Sequence, residues 1–289
     1  MDGVRASDGG GREVSRVLET LWDRMADGTY PLGSQLPAQR ELAEEFGVSR
    51  DTVQRALKEL VGGGWIESRQ GSGSRVIKTQ RVQSLVSRNP RSARTALRPI
   101  ISSAFEQPEV TLDVYTLTSE TLEIHIRLQA ERIRAGEIAP QRIAARMLLP
   151  SEGLDFPFPR AKDDPGDPRL RDRLLAITRR HTSSLRYVLE ALKVEGLVPS
   201  IDLEIRHVPL VPPCKLYLLN GTEALQGFYE VIERRIALGG GEEIVALDVL
   251  GLGATLTHYA QDDDPDSTGS VFVASSQAWF DSVWNLLAT

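Results

Sequence analysis

The chain has 289 residues, 41% of them hydrophobic and 26% charged, and carries a formal net charge of −6. This is the composition of a soluble globular protein of about two domains, without solenoid repeats or low-complexity tracts. Without a run of about 18 apolar residues no membrane span is expected; one cysteine and four histidines leave no disulfide framework and no zinc site, and fit a reducing cytoplasm.

The opening residues 1–11 have no apolar signal-peptide core and are expected to be a flexible tail. Pro37 suits the first turn of a helix, in which Leu42, Ala43 and Phe46 share an apolar face. Gly47 is expected to stop that helix, because glycine accepts the left-handed conformation. Ser49 is placed to cap the next helix, whose buried stripe is Val53, Ala56, Leu57 and Leu60. Arg50, Asp51, Gln54, Arg55 and Lys58 are left on the opposite side, the kind of polar, Arg-rich face that base-edge and phosphate contacts require. Asp51 either accepts from a cytosine amine or orients Arg55 four residues on. The run Gly62-Gly63-Gly64 ends the helix. Residues 65–68 and 74–77 read as two strands joined by the turn Gln70-Gly71-Ser72-Gly73, with Arg69 and Arg75 beside its tip. Helix, turn, helix and hairpin in this order make a winged helix-turn-helix, which sets one helix in the major groove of DNA.

The stretch LPAQRELAEEFGVSRDTVQRALKELVGGGWI, completed by RQGSG, resembles the DNA-binding domain of the GntR family of bacterial transcription regulators. The likeness covers about residues 12 to 78, with residues 12–33 similar to the family's first helix and following loop. It implies a double-stranded DNA operator as partner and DNA contacts at Arg40, Ser49, Arg50, Thr52, Gln54 and Arg55. It also implies that the wing glycine near Gly71 meets the minor groove. With Asp51, Arg69, Gln70, Ser72 and Gly73 these form the expected interface.

The acidic net charge is not an obstacle, since DNA affinity depends on where Lys and Arg sit relative to phosphates. The connector, residues 81–100, holds Arg81, Arg88, Arg91, Arg94 and Arg98 without an acid, and reads equally as phosphate contacts or as a solvated linker. The expected boundaries are a tail over 1–11, the DNA-binding domain over 12–80, the linker over 81–100 and an α/β domain over 101–289.

Helical pattern resumes at Ala93–Phe105. Residues 110–117 read as a strand, 119–134 as a helix capped by Ser119 and 142–149 as a strand, a unit that normally makes parallel strands. A proline-rich loop over 150–168 and a long helix over 169–195 follow. Strands are expected over 201–210, 215–219, 243–249 and 271–274, and helices over 224–238 and 277–287. The alternation argues one layered α/β domain with a mostly parallel or mixed sheet.

The stretch from Pro213 to Gly227 resembles the second-half motif of the phospholipase D superfamily. Lys215 and Gly221 match its pattern, while Pro213 replaces the nucleophilic His and Asn220 replaces the Asp. The resemblance therefore implies a degenerate, inactive domain whose pocket is used for sensing, with Lys215, Asn220 and His258 as candidate ligand residues. His258 as a surface or capping residue, Cys214 as a small buried residue, and Trp279, Phe280 and Trp284 as packing for the last helix are the plainer readings. The whole reads as a homodimeric transcription regulator, a repressor, with a small-molecule effector and no cofactor, metal or catalytic residue. The alternatives are a DNA-tethered phosphodiesterase-like hydrolase and a ligand-free protein-interaction module.

Overall fold

The computed structural model of the chain describes residues 8–62, 65–69, 73–77, 82–84, 94–95, 97–239, 242–251 and 255–289. They divide into two compact units, one holding the chain up to Val82 and one holding it from Arg98 to Thr289. Two short strands, β3 (Val82–Ser84) and β4 (Arg94–Thr95), lie in the connector.

In the N-terminal unit, helix α1 (Asp8–Asp27) starts inside the stretch expected as a tail. Val17, Leu18, Leu21 and Met25 fall on one side of it and are buried. Helix α2 (Gln39–Phe46) begins after Ala38, so Pro37 lies just outside the helix rather than in its first turn. Ala38 N donates to Glu41 Oε2 at 3.1 Å, tying the chain entry to the first turn. Gly47 closes α2 at φ 65°, donating to Ala43 O, a backbone position that a Cβ would strain. Helix α3 (Arg50–Gly62) buries Val53, Ala56, Leu57 and Leu60, each larger side chain contributing about 1.5–3 kcal/mol by leaving water.

The wing is strand β1 (Ile66–Arg69) antiparallel to β2 (Gly73–Val76), with Ile66 opposite Val76. Residues 33–36 bond to the other edge of β2 through Gly33 N to Val76 O, Leu36 N to Ser74 O and Val76 N to Ser34 O, each 2.8 Å. Trp65 packs on Trp22 with ring centroids 5.9 Å apart, which fastens the base of the wing to α1.

In the C-terminal unit a mixed sheet is built from β5 (Glu109–Tyr115), β6 (Arg142–Pro150), β8 (Ser200–Val208), β9 (Cys214–Leu219), β10 (Glu223–Phe228) and β13 (Leu256–Ala260). The spatial order is β13-β10-β9-β5-β6-β8. Strands β5, β6 and β8 are parallel; β9, β10 and β13 join antiparallel. Helices α4 (Leu97–Phe105), α5 (Glu120–Arg134) and α6 (Arg169–Val194) fill the connections. Helix α7 (Thr268–Leu286) covers the other face, where Val273, Phe280, Val283 and Trp284 pack on Tyr115, Leu148, Leu216 and Leu218. A smaller antiparallel sheet joins β7 (Arg160–Ala161), β11 (Glu230–Gly239) and β12 (Glu242–Leu250).

Three expectations are corrected. Residues 224–238 are strands β10 and β11, not a helix. Their residues have good helix propensity, but Asn220 and Gly221 both take positive φ, 53° and 67°, and turn β9 back on β10 as a hairpin. Gly227 marks the same strand, since a Cβ there would lie 2.6 Å from Leu256 Cδ2 and 2.7 Å from Thr255 O. Residues 271–274 belong to α7 rather than to a strand: Ser267 Oγ accepts from Ser270 N at 3.1 Å and starts a helix that spaces Val273 and Phe280 seven residues apart on one face. Residues 256–260, assigned no strand from the sequence, form β13 against β10.

Candidate nucleic-acid interface

The exposed face of α3 is set by what lies beneath it. Arg50, Asp51, Gln54, Arg55 and Lys58 stand outward in one stripe, while Val53, Ala56, Leu57 and Leu60 turn inward. Arg55 Nε lies 3.2 Å from Asp51 Oδ2, so the acid does pair with the arginine one turn on. Both remain open to solvent, and a pair of this kind contributes only a few tenths of a kcal/mol; it orients the guanidinium rather than tying it up. Arg40, on α2, is likewise exposed and lies 3.0 Å from Glu44 Oε1.

Ser49 caps α3. Its Oγ accepts from Thr52 N at 3.1 Å and sits 2.9 Å from Thr52 Oγ1. Thr52 is only 2% exposed. The Thr52 hydroxyl is thus held against the Ser49 hydroxyl in the cap of α3. Ser49 itself stays exposed.

The turn between α2 and α3 is braced from α1. Arg16 Nη2 donates to Phe46 O at 2.9 Å, satisfying a carbonyl at the end of α2. Arg24 donates to Glu45 and, at 2.9 Å, to Tyr30 Oη, and lies over the Phe46 ring. That hydrogen bond from Arg24 holds the Glu45 carboxyl below its ordinary range. These contacts fix the angle at which α3 is presented.

In the wing, Ser68 Oγ and Ser74 Oγ are 2.7 Å apart across the ribbon. Gly73 takes φ 79° where the turn enters β2. Arg75 Nε donates to Gly33 O at 2.9 Å, so this arginine locks the ribbon to the loop after α1. Arg69 ends β1; its side chain, with Gln70, Gly71 and Ser72, lies outside the described residues, as do the connector's Arg81, Arg88 and Arg91.

The residues singled out in the C-terminal unit do not form one site. Lys215 is buried on β9; its Nζ donates to Thr121 Oγ1 at 3.1 Å and lies over the Tyr229 ring. Asn220 is bonded at both ends of its amide. Its Oδ1 accepts from Thr111 N at 2.9 Å and its Nδ2 donates to Ala104 O at 3.1 Å, pinning the β9–β10 turn to β5 and α4. His258 stands on β13, 3.0 Å from Glu223 Oε2. On α5, Glu123 is buried among His181, Ser184 and Arg127. Burial alone would raise its carboxyl, but hydrogen bonds from His181 and Ser184 and the charge of Arg127 prevail and hold it at about 2.

A feature that sequence reasoning passed over is a cavity of about 440 Å³ between α7 and the sheet, lined also by Leu210, Val211, Pro213 and Cys214. The aromatic group at the end of the chain splits over it: Phe280 and Trp284 are core, while Trp279 is 38% exposed and lines the cavity. The signal was a second helical stripe, Phe272, Ser276 and Trp279, beside the buried one. Among the described residues no helix is long and apolar enough to cross a membrane.

Residues 13–76 match the family described as bacterial regulatory proteins, gntR family. An uncharacterised HTH-type transcriptional regulator of Mycobacterium tuberculosis is 46% identical over 63 residues, 22% of this chain and 26% of that one. The fatty acid metabolism regulator protein of Vibrio cholerae is 34% identical over 73 residues, 25% of either chain. The chain thus spans about a quarter of the length of these two relatives. Among solved structures, the AraR DNA-binding domain in complex with operator ORX1 is 33% identical over 22% of this chain and 77% of that one, with a TM-score of 0.22. The capped helix pair, the brace from α1 and the β1–β2 ribbon form a winged helix-turn-helix over the residues, 13–76, that match the gntR family.

Proposed function

We propose that the chain is a sequence-specific DNA-binding transcription regulator of the cytoplasm, a repressor, in which α3 reads the major groove. The observation that carries this is the unbroken outward stripe Arg50, Asp51, Gln54, Arg55 and Lys58 on a helix whose other side is fully buried. Arg50 and Arg55 suit guanine edges or phosphates, Gln54 suits adenine, and Lys58 suits a phosphate. The β1–β2 wing is assigned to the adjoining minor-groove edge. One short helix buries too little surface for operator-level affinity, so two heads act as a homodimer on an inverted repeat. The domain over 101–289 supplies pairing and senses a small ligand, which acts by favouring one arrangement of the heads. The reading gives that domain no catalytic step: Pro213 carries no nucleophile, and Lys215 is committed to Thr121.

Selection of the purified full chain on a pool of random duplexes tests this. Enrichment of a short motif repeated in inverted orientation is expected. A pool that stays random after repeated rounds contradicts it.

A further inference from the structure

We propose that the cavity under α7 is a binding site for an uncharged, mainly apolar small molecule with an aromatic or aliphatic body and one hydrogen-bonding end. Its regulatory sense rests on the sensor reading above; the site itself does not.

The chemistry of the walls selects the ligand. Tyr115 and Leu216 line it from the sheet, Phe272 and Trp279 from α7, and Leu210 from the loop before β9. Among the described residues, none that lines the cavity carries a charge. An ionised ligand entering here would leave water and meet no counter-charge, which is unfavourable. A neutral apolar body meets the surface it needs, and the volume falls within the range of small-molecule sites, roughly 300–1,000 Å³. The Tyr115 and Trp279 rings, 5.0 Å apart and tilted by 59°, make a rigid aromatic corner against which a flat group can pack edge to face.

The polar end has a partner too. Gln226 reaches the cavity from β10, and among the described residues its side chain has only the soft sulfur of Cys214 as hydrogen-bond partner, at 3.8 Å. A ligand hydroxyl or carbonyl offers that amide a stronger one. The charged groups of this face, Arg146, Asp113 and Asp281, are paired with one another and are not among the residues lining the cavity.

Cys214 is the chain's single cysteine and lines the cavity, so its alkylation reports occupancy without ambiguity. The probe is N-phenylnaphthylamine, a neutral fluorophore, with its sulfonated analogue anilinonaphthalene sulfonate as the charged control, both titrated into the full chain. The expected result is saturable binding of the neutral probe, at least about tenfold tighter than the sulfonate. Alkylation of Cys214 by N-ethylmaleimide should slow at least about tenfold at saturation, and Ser276→Trp, which fills the cavity from α7, should lose the neutral probe. Equal or better binding of the sulfonate, or Cys214 alkylated at an unchanged rate in the saturated wild-type protein, overturns the proposal whether or not Ser276→Trp folds. The sensor reading is separated by operator affinity: a probe that protects Cys214 and leaves operator binding unchanged supports the site and removes the sensor, while a probe that shifts operator binding with Cys214 unprotected removes the site and keeps the sensor.

Discussion

His125 links the core of the C-terminal unit to pH. It lies on α5, buried, with no hydrogen-bond partner for Nδ1 among the described residues. Burial, then the positive charges of Arg98 and Lys215, push its imidazolium down to about 3 from an ordinary 6.5. The folded chain therefore keeps His125 neutral while the unfolded chain protonates it. Above the ordinary value neither state holds the proton and the group contributes nothing. Below it the unfolded state gains a proton that the folded state refuses, so stability falls with pH through the window from 6.5 to about 3. Integrated from about pH 7.5 to about pH 5, the loss is about 2 kcal/mol for an unfolded value near 6.5 and a folded value near 3. Glu123 adds its own loss only lower, as pH falls from 4.5 to about 2, which keeps the two separable. The assay is urea unfolding of a chain in which Trp22 and Trp65 are replaced by Phe, so that Trp279 and Trp284 report the C-terminal unit. His125→Phe should flatten the loss by about 2 kcal/mol over that interval, the other histidines cancelling in the difference. An equal pH slope in both proteins refutes the reasoning.

Further outcomes follow from individual contacts. Ser49→Ala removes the cap of α3 and should cost the N-terminal unit about 1 kcal/mol in urea, read at Trp22 and Trp65. Asn220→Ala loses the bonds to Thr111 and Ala104 and puts a Cβ residue at φ 53°. About 2–4 kcal/mol of C-terminal stability should go, with Asn220→Gly recovering the backbone share, about 1 kcal/mol. Gly269→Ala would place a Cβ 2.1 Å from Ala260 O; thermal unfolding followed at Trp279 and Trp284 should show a loss of at least about 2 kcal/mol.

The N-terminal fold was readable because its signals are local. Gly47, Ser49 and the Val53, Ala56, Leu57, Leu60 stripe each announce their conformation within one turn of helix. The burial of Thr52 was not readable, since the same residue type suits an exposed position equally well. In the C-terminal unit, β5, α5 and β6 were legible as a strand–helix–strand unit. The β10–β11 stretch was not, since Glu230 to Leu238 is rich in helix formers and only pairing with β12 makes it extended. Asn220-Gly221 was the overlooked sign, a hairpin turn read as part of a motif. The cavity was least legible of all, because Tyr115, Cys214, Phe272 and Trp279 meet only when distant segments are stacked.

The central claim is that the outward side of α3 is a nucleic-acid reader, and its most direct test is the salt dependence of duplex binding by the full chain, wild type beside Arg50→Ala and Lys58→Ala. The account predicts that log affinity for the selected duplex falls linearly with log salt, with a slope of about −4 to −7 if five to eight phosphates are neutralised. Lys58→Ala should make that slope shallower by about 1 per head, and Arg50→Ala should weaken the selected duplex by about 1–3 kcal/mol while binding of unrelated duplexes changes far less. Binding that is indifferent to salt, or an Arg50→Ala chain that still prefers the selected duplex by the full wild-type margin, contradicts it.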